Sequence, residues 1–374
     1  MPYPRKTVAE IDLRALAANF AAIKSLLKPQ TKLTAVVKAN AYGHGAVPIA
    51  QELERLGADM FGVACVYEVA ELRNAKIKLP ILNMGPTFID EASAVFEYNY
   101  IPTVFSFDLA KKISEIGLSL NKKAQIHIKV NSGMNRLGVD LEDALQLILD
   151  IRKLPNIEIS GLFTHFADAD APSSGVTEIQ LQKFDEILQK LSDAKINIPL
   201  IHASNSAGVL FWRDVEFDMV RVGSALYGYS PSDDEKLKLP IKLQPVMALK
   251  TYVSFVKTSE ANTPISYGWT FFTKKKSVIA TLAIGYADGL RRSPYNCAQV
   301  LVGGKKAQIA GRVCMDQTII DAGSIDVKVG DEVVIMGKQG DEEIDAWQVA
   351  KAIKTSVYEV LTSVASRVTR IYIR

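Results

Sequence analysis

Between residues 33 and 228 the chain alternates short apolar runs with longer segments whose apolar residues recur every three or four positions. The runs occupy residues 33–37, 60–66, 80–84, 101–105, 124–130, 159–163, 199–201 and 218–222. They are mostly β-branched and do not alternate with polar residues, as expected of parallel strands covered on both faces. The segments between them, such as 46–56 and 141–153, carry helical periodicity. Eight strand–helix units in succession are what a (β/α)8 barrel requires, whereas a doubly wound open sheet has no need to stop there.

After Tyr229 the texture changes. Residues 230–236 are polar and turn-rich, and strand-like runs follow at 246–256, 277–283, 298–301, 308–313, 317–320 and 332–336. Glycine-containing turns divide these runs, and only 346–353 reads there as a clear helix. The pattern predicts a TIM-type barrel over 1–235 and a mainly antiparallel β domain over 236–374.

Polar residues close most of the barrel runs: Lys38, Glu68, Asn83, Ser106, Lys129 with Asn131, His165, His202 with Asn205, and Arg221. Side chains at the carboxyl ends of barrel strands converge on one mouth, where this fold builds its active sites. A single such residue would read as a cap or a loop residue, but the series points to a site. Lys38 follows three apolar residues in Ala35-Val36-Val37-Lys38-Ala39-Asn40-Ala41-Tyr42-Gly43-His44-Gly45. Dry surroundings lower a lysine's pKa, and a neutral amine can attack an aldehyde or abstract a proton. Tyr42 can donate to an anion, while Gly43 and Gly45 allow close backbone approach. The segments His202-Ala203-Ser204-Asn205-Ser206-Ala207-Gly208 and Arg221-Val222-Gly223-Ser224-Ala225 follow the seventh and eighth runs. Barrels commonly hold phosphate there with hydroxyls and backbone N–H groups. A reactive lysine opposite a phosphate cradle points to pyridoxal 5'-phosphate.

At these residues the chain resembles the alanine racemase family. Residues 35–45 resemble its cofactor-attachment motif. Ser132-Gly133-Met134-Asn135-Arg136-Leu137-Gly138, Thr164-His165-Phe166, Ser266-Tyr267-Gly268, Ile284-Gly285-Tyr286-Ala287-Asp288-Gly289 and Gly311-Arg312-Val313-Cys314-Met315-Asp316 look like its other motifs, in family order along essentially the whole chain. The chain departs from many members at Val222 and Ser224, in a loop expected to offer mainly backbone amides.

The resemblance implies a Schiff base between Lys38 and pyridoxal phosphate. Tyr42, Ser206, Tyr358 and the backbone around Gly223 and Ser224 would hold the phosphate, and Asn205, next to Ser206, would also belong to the cofactor site. Arg221 would face the pyridine nitrogen, with His202 bracing it and His165 against the ring. An arginine cannot accept the pyridinium proton, so it favours prompt reprotonation over transamination. The two catalytic bases would be Lys38 and Tyr267, the latter donated by the partner subunit of a homodimer with shared active sites. Arg136 would bind the substrate carboxylate. Lys129 resembles the lysine carbamylated in many members, a change that would turn a cation beside Arg136 into an anion. Met315, with Tyr286, Tyr358 and Tyr267, would form a narrow mouth, and Asp170, Arg292 and Arg312 would line its outer part. A small amino acid, alanine, is the substrate so implied, and in bacteria its D-enantiomer feeds peptidoglycan.

Three other readings stay open at this point: a racemase of broader specificity, a barrel-type amino acid decarboxylase, and a non-catalytic pyridoxal-phosphate-binding protein. The decarboxylase would call for an acidic partner to the ring nitrogen, in place of Arg221.

Charge and cysteine usage narrow the setting. A net charge of +3 over 374 residues gives no pull toward nucleic acid or an anionic membrane. No apolar stretch has transmembrane length, and the N-terminus lacks a signal-peptide pattern. Three widely spaced cysteines, Cys65, Cys297 and Cys314, suit a reducing cytoplasm. The four histidines show no metal-ligand spacing.

Overall fold

The computed structural model describes residues 6–212, 214–234, 236–292 and 298–374, so Cys297 lies outside the described residues. The chain folds into two compact units. One comprises 17–41 and 46–243; the other takes 42–45, 244–374 and the described residues up to 16.

Strand β1 (Val8–Asp12) opens the chain but belongs to the second unit, which interrupts the barrel span expected over 1–235. The barrel is built from β2 (Lys32–Val36), β3 (Met60–Val63), β4 (Ile81–Asn83), β5 (Ile101–Val104) and β6 (Ala124–Asn131). After the two-residue β7 (Val139–Asp140) come β8 (Ile157–Phe163), β9 (Leu200–His202) and β10 (Met219–Val222). The strand order is β10-β2-β3-β4-β5-β6-β8-β9, with β7 beside β6. Neighbouring strands along this order run parallel. Between β9 and β10, Asp218 N–H donates to the Ile201 carbonyl at 3.0 Å and Arg221 N–H to the Ser204 carbonyl at 2.9 Å. These bonds nearly close the cylinder.

All eight apolar runs coincide with barrel strands. The run at 60–66 stops early as a strand because Cys65 starts the helix Val66–Asn74. Helix Ala46–Leu56 buries Ala46, Ile49, Ala50 and Leu53, the spacing of one helical face. Inside the barrel, Met60, Leu82, Ile101 and Met219 form a buried apolar cluster.

The second unit contains β11 (Met247–Ser259), the short hairpin β12 (Pro264–Ile265) and β13 (Phe271–Phe272), β14 (Ser277–Leu282), β15 (Gln299–Val302) and β16 (Lys305–Ile309). It continues with β17 (Thr318–Gly323), β18 (Glu332–Gln339), β19 (Glu342–Ile344) and β20 (Thr369–Ile373). The main sheet runs β19-β18-β15-β16-β17-β14-β11-β1-β20, and β18 also pairs with β11, so the sheet curls back on itself. It is antiparallel apart from β1 with β20.

Two local differences from the sequence reading have physical causes. The run at 308–313 is not one strand: β16 ends at Ile309, and Gly311 turns the chain at φ +82°. A Cβ there would lie 2.6 Å from that of Ser266, so glycine is required. A second helix, Val357–Thr362, follows Ala346–Ile353, with the Ser356 hydroxyl accepting from Glu359 N–H as its cap.

Truncating Leu82 to alanine should leave a cavity in the barrel cluster and cost about 3 kcal/mol of stability. Truncating the exposed Leu118 should cost well under 1 kcal/mol. Urea unfolding of both variants checks this, and equal midpoints would contradict the core assignment.

Candidate active site

The barrel places Lys38 directly after β2, at the start of an unusual turn. Ala39, Asn40, Ala41 and Tyr42 all take the left-handed conformation, with φ of 53°, 54°, 53° and 53°. Such a run is costly for residues with a Cβ, so surrounding bonds must hold it. Glu68 accepts from Ala39 N–H at 2.6 Å with one oxygen and from Ala64 N–H at 2.7 Å with the other. Asn40 Oδ1 accepts from Ala46 N–H at 2.7 Å. Burial lowers the Lys38 amine, nearby Arg136 lowers it further, and Glu68 opposes both.

Arg221 projects from β10 into the barrel interior and is only 2% exposed. Nη1 donates to His202 Nδ1 at 2.6 Å; Nη2 donates its two protons to the carbonyls of Thr164 and Ala203, each at 2.8 Å, and lies 3.2 Å from His165 Nδ1. Among the described residues no carboxylate pairs with it. Phe163 lies close by: the Arg221 guanidinium is 5.1 Å from its ring centroid, Lys129 Nζ is 5.6 Å away, and His202 stacks on it at 4.7 Å. Both cations thus gain from one aromatic ring. Burial lowers Arg221 to about 9, which leaves it charged at neutral pH.

Lys129, near the end of β6 and 4% exposed, also has no acidic partner among the described residues. Burial pushes it down to about 8, helped by the charges of Arg136, Arg221 and Lys38. Arg136 is itself exposed, in the loop after β6. The mouth is therefore rich in cations and short of anions.

A hydroxyl–amide cradle faces the end of β10. Asn205 Oδ1 caps the helix Ser206–Phe211 by accepting from Gly208 N–H at 3.0 Å. Ser206 Oγ accepts from Gly223 N–H at 3.0 Å, which leaves its own proton to donate, and Ser224 is buried beside it. One further feature bears on what could bind: Arg221 Nε is buried with no hydrogen-bond partner. A donor shut off from water calls for an acceptor, such as a neutral aromatic ring nitrogen. The site thus fits a group carrying an aldehyde, an anion and a ring nitrogen. Asp170 is half-buried, its carboxyl raised by burial and by Asp168 and Asp233.

The second unit carries the remaining predicted residues. The Tyr42 and Tyr358 rings meet edge-on at 6.2 Å between centroids, and burial raises the Tyr42 phenol. Tyr267 stands 65% exposed on the hairpin turn between β12 and β13. That turn is braced by Arg312: Ser266 Oγ donates to its carbonyl at 2.6 Å, and its guanidinium lies against Gly268. Tyr286 and Met315 are tied together through backbone, with Tyr286 N–H donating to the Cys314 carbonyl and Ala287 N–H to that of Met315, each at 2.9 Å. Arg292 is exposed. Among the described residues there is no cluster with the makings of a metal site, and no helix is long and apolar enough to cross a membrane.

Three contributors escape the sequence reading. His127 hydrogen-bonds His202, Phe163 supports the two buried cations, and Gln180 bonds Ser132 and the His165 carbonyl. Only His127 had a signal: with Lys129 it obeys the two-residue period of inward-facing strand positions.

A nearly closed parallel barrel with a depressed lysine and a buried arginine at its mouth, joined in one chain to an antiparallel β unit, defines a class of lysine-based barrel enzymes. Comparison with known proteins makes the class particular. Residues 11–231 match the family model "Alanine racemase, N-terminal domain", and residues 246–372 match "Alanine racemase, C-terminal domain". The alanine racemase of Halothermothrix orenii is 43% identical over 369 residues, covering 98% of this chain and 97% of its own. A solved alanine racemase from Clostridium difficile 630 superposes with a TM-score of 0.93 at 40% identity, over 98% of this chain and 96% of that one. The alanine racemase of Bacillus anthracis, solved with bound L-Ala-P, gives a TM-score of 0.93 at 37% identity, over 100% and 96%. The chain belongs to the alanine racemase family, and with it to the amino acid racemases.

The buried imidazoles generate a test. Burial, and then the charge of Arg221, hold His165 and His202 well below 6.5 and His127 at about 3. Below pH 6.5 the unfolded chain binds protons that these rings refuse, so stability falls as pH drops from 6.5 toward 3. Urea midpoints measured between pH 7.5 and 5 should decline accordingly, and a flat profile would contradict neutral buried rings.

Proposed function

We propose that the chain interconverts L- and D-alanine with pyridoxal 5'-phosphate as cofactor, and with Lys38 and Tyr267 as proton carriers on opposite faces of the substrate's Cα. The observation that carries this reading is the pairing of a half-buried lysine of lowered pKa with a buried arginine whose Nε–H lacks an acceptor. Lys38 holds the cofactor. Tyr42, Ser206, Tyr358 and the backbone around Gly223 and Ser224 hold its phosphate, and Asn205 orients Ser206 by capping the helix behind it. Arg221 faces the ring nitrogen, braced by His202, with His165 against the ring. When bound, the cofactor draws electrons from Cα and makes its proton acidic.

The protein's own groups then govern the stereochemistry. Arg136 grips the substrate carboxylate with its two-pronged guanidinium. Lys38 Nζ takes or returns the proton on one face. Tyr267 Oη serves the other face, from a second copy of the chain; its exposure on a hairpin tip supports a role in trans and hence a two-fold dimer. Arg221 cannot take a proton from the ring nitrogen, so charge withdrawal from Cα stays limited and the proton returns promptly.

Lys129 completes the carboxylate site. Its amine, lowered to about 8, is partly neutral near physiological pH. It adds to carbon dioxide, forming an N–C bond and releasing one proton, which leaves a carbamate anion. That anion offsets Arg136 and Arg221, which pair with no carboxylate among the described residues. Met315, Tyr286, Tyr358 and Tyr267 narrow the approach, and Asp170, Arg292 and Arg312 line its outer part. A small side chain suits such a passage, and the Bacillus anthracis relative's bound L-Ala-P supports alanine. The product supplies D-alanine for peptidoglycan, from a cytoplasmic enzyme.

Exchange of the α-hydrogen in heavy water tests the assignment. Lys38→Ala should abolish turnover. Tyr267→Phe should slow exchange from L-alanine by roughly 10²–10⁴-fold and from D-alanine less; equal losses would contradict two one-sided bases. Intact mass under carbon dioxide should show one added CO2, lost in Lys129→Ala. An unmodified Lys129 paired to an acid would end the carbamate.

A further inference from the structure

His127 lies in the barrel interior on β6, fully buried, and none of the roles above uses it. Its Nδ1 is 3.0 Å from His202 Nε2, and the two rings are tilted by 57° with centroids 5.1 Å apart. The neighbouring strand makes room for it. Gly161 of β8 is its partner in register, and a Cβ at that position would sit 2.5 Å from the imidazole. The β6–β8 register also shifts at this point, between Ile126 and His127. The glycine supplies the space that the ring occupies.

The donor inventory sets the direction of every bond in this chain. A charged guanidinium only donates, so His202 Nδ1, at 2.6 Å from Nη1, must be an acceptor. Neutral His202 therefore carries its proton on Nε2 and donates it to His127 Nδ1. Without that acceptor, a fully buried N–H would lose its partner, and the ring would gain by turning about χ2. Turning would take Nδ1 away from Arg221.

We propose that His127 is a positioning residue: by accepting from His202 Nε2–H it locks the ring that holds Arg221, and so keeps Arg221 Nε–H aimed at the ring acceptor of the bound group. Gly161 is the space that admits it. The proposal rests on the functional reading above only for what Arg221 faces.

The chain has four histidines, so ring-nitrogen spectra of the full-length protein with 15N-labelled histidine are resolvable. Wild type should show His127 and His202 neutral and protonated on Nε2, with the His202 proton far downfield and slow to exchange. His127→Phe should move that resonance upfield, shift the Arg221 Nε–H signal and lower kcat by about tenfold, with KM for alanine within about twofold. His127→Asn keeps an acceptor oxygen where Nδ1 stood, and should restore the resonances and kcat to within about twofold. The wild-type spectrum is decisive by itself should His127→Phe fail to fold. A His202 protonated on Nδ1 would overturn the proposal. So would unchanged Arg221 and His202 signals with unchanged kcat in His127→Phe, or a His127→Asn variant no better than His127→Phe. The ring spectra need no turnover, so they decide the positioning role whatever the substrate.

Discussion

A guanidinium shut inside a barrel without a carboxylate must find its compensation in neutral acceptors and aromatic faces, and Arg221 has both. Two carbonyls and two imidazoles surround its Nη1 and Nη2 groups, and the ring of Phe163 faces the cation. A carboxylate in that position would have been the cheaper counter-charge. It would also have neutralised the property the site needs, a donor that cannot become a proton source and sink for a ring nitrogen. The rest of the mouth follows from this choice. The imidazoles must stay neutral to accept, and burial keeps them so.

The same scarcity of acids extends outward. Lys38, Lys129 and Arg136 share the mouth, and each positive charge lowers the next lysine. Like charges in partly buried surroundings are unfavourable, but a lowered amine is chemically useful. Glu68 keeps the turn at Lys38 in its left-handed form through backbone bonds, and only weakly offsets the lysine's shift. An acidic partner for the ring nitrogen would mark a decarboxylase; Arg221, held by histidines, is the distinguishing feature of this barrel.

Much of this was legible in the chain, for reasons that can be stated. Parallel strands buried on both faces leave continuous apolar runs, so all eight barrel strands could be read, and the polar residues ending them marked the mouth. The pairing of β1 with β11 and β20 left no local trace, because its partners lie some 240 and 360 residues away in sequence. Helix Val357–Thr362 escaped because six residues give periodicity too little length. Phe163 looked like one more strand residue, and its position under two cations depends on neighbours from three strands. His127 was visible as an inward-facing position but had no partner until β6, β8 and β9 were laid side by side.

The central claim, that Arg221 Nε–H awaits a neutral ring acceptor, can be tested with the cofactor alone. Dissociation constants would be compared for pyridoxal phosphate and its analogue with the ring nitrogen replaced by C–H. The account predicts that the protein prefers the nitrogen-containing ring by about tenfold or more, and that Arg221→Leu erases the preference. Equal affinity for the two rings in the unaltered protein would contradict it.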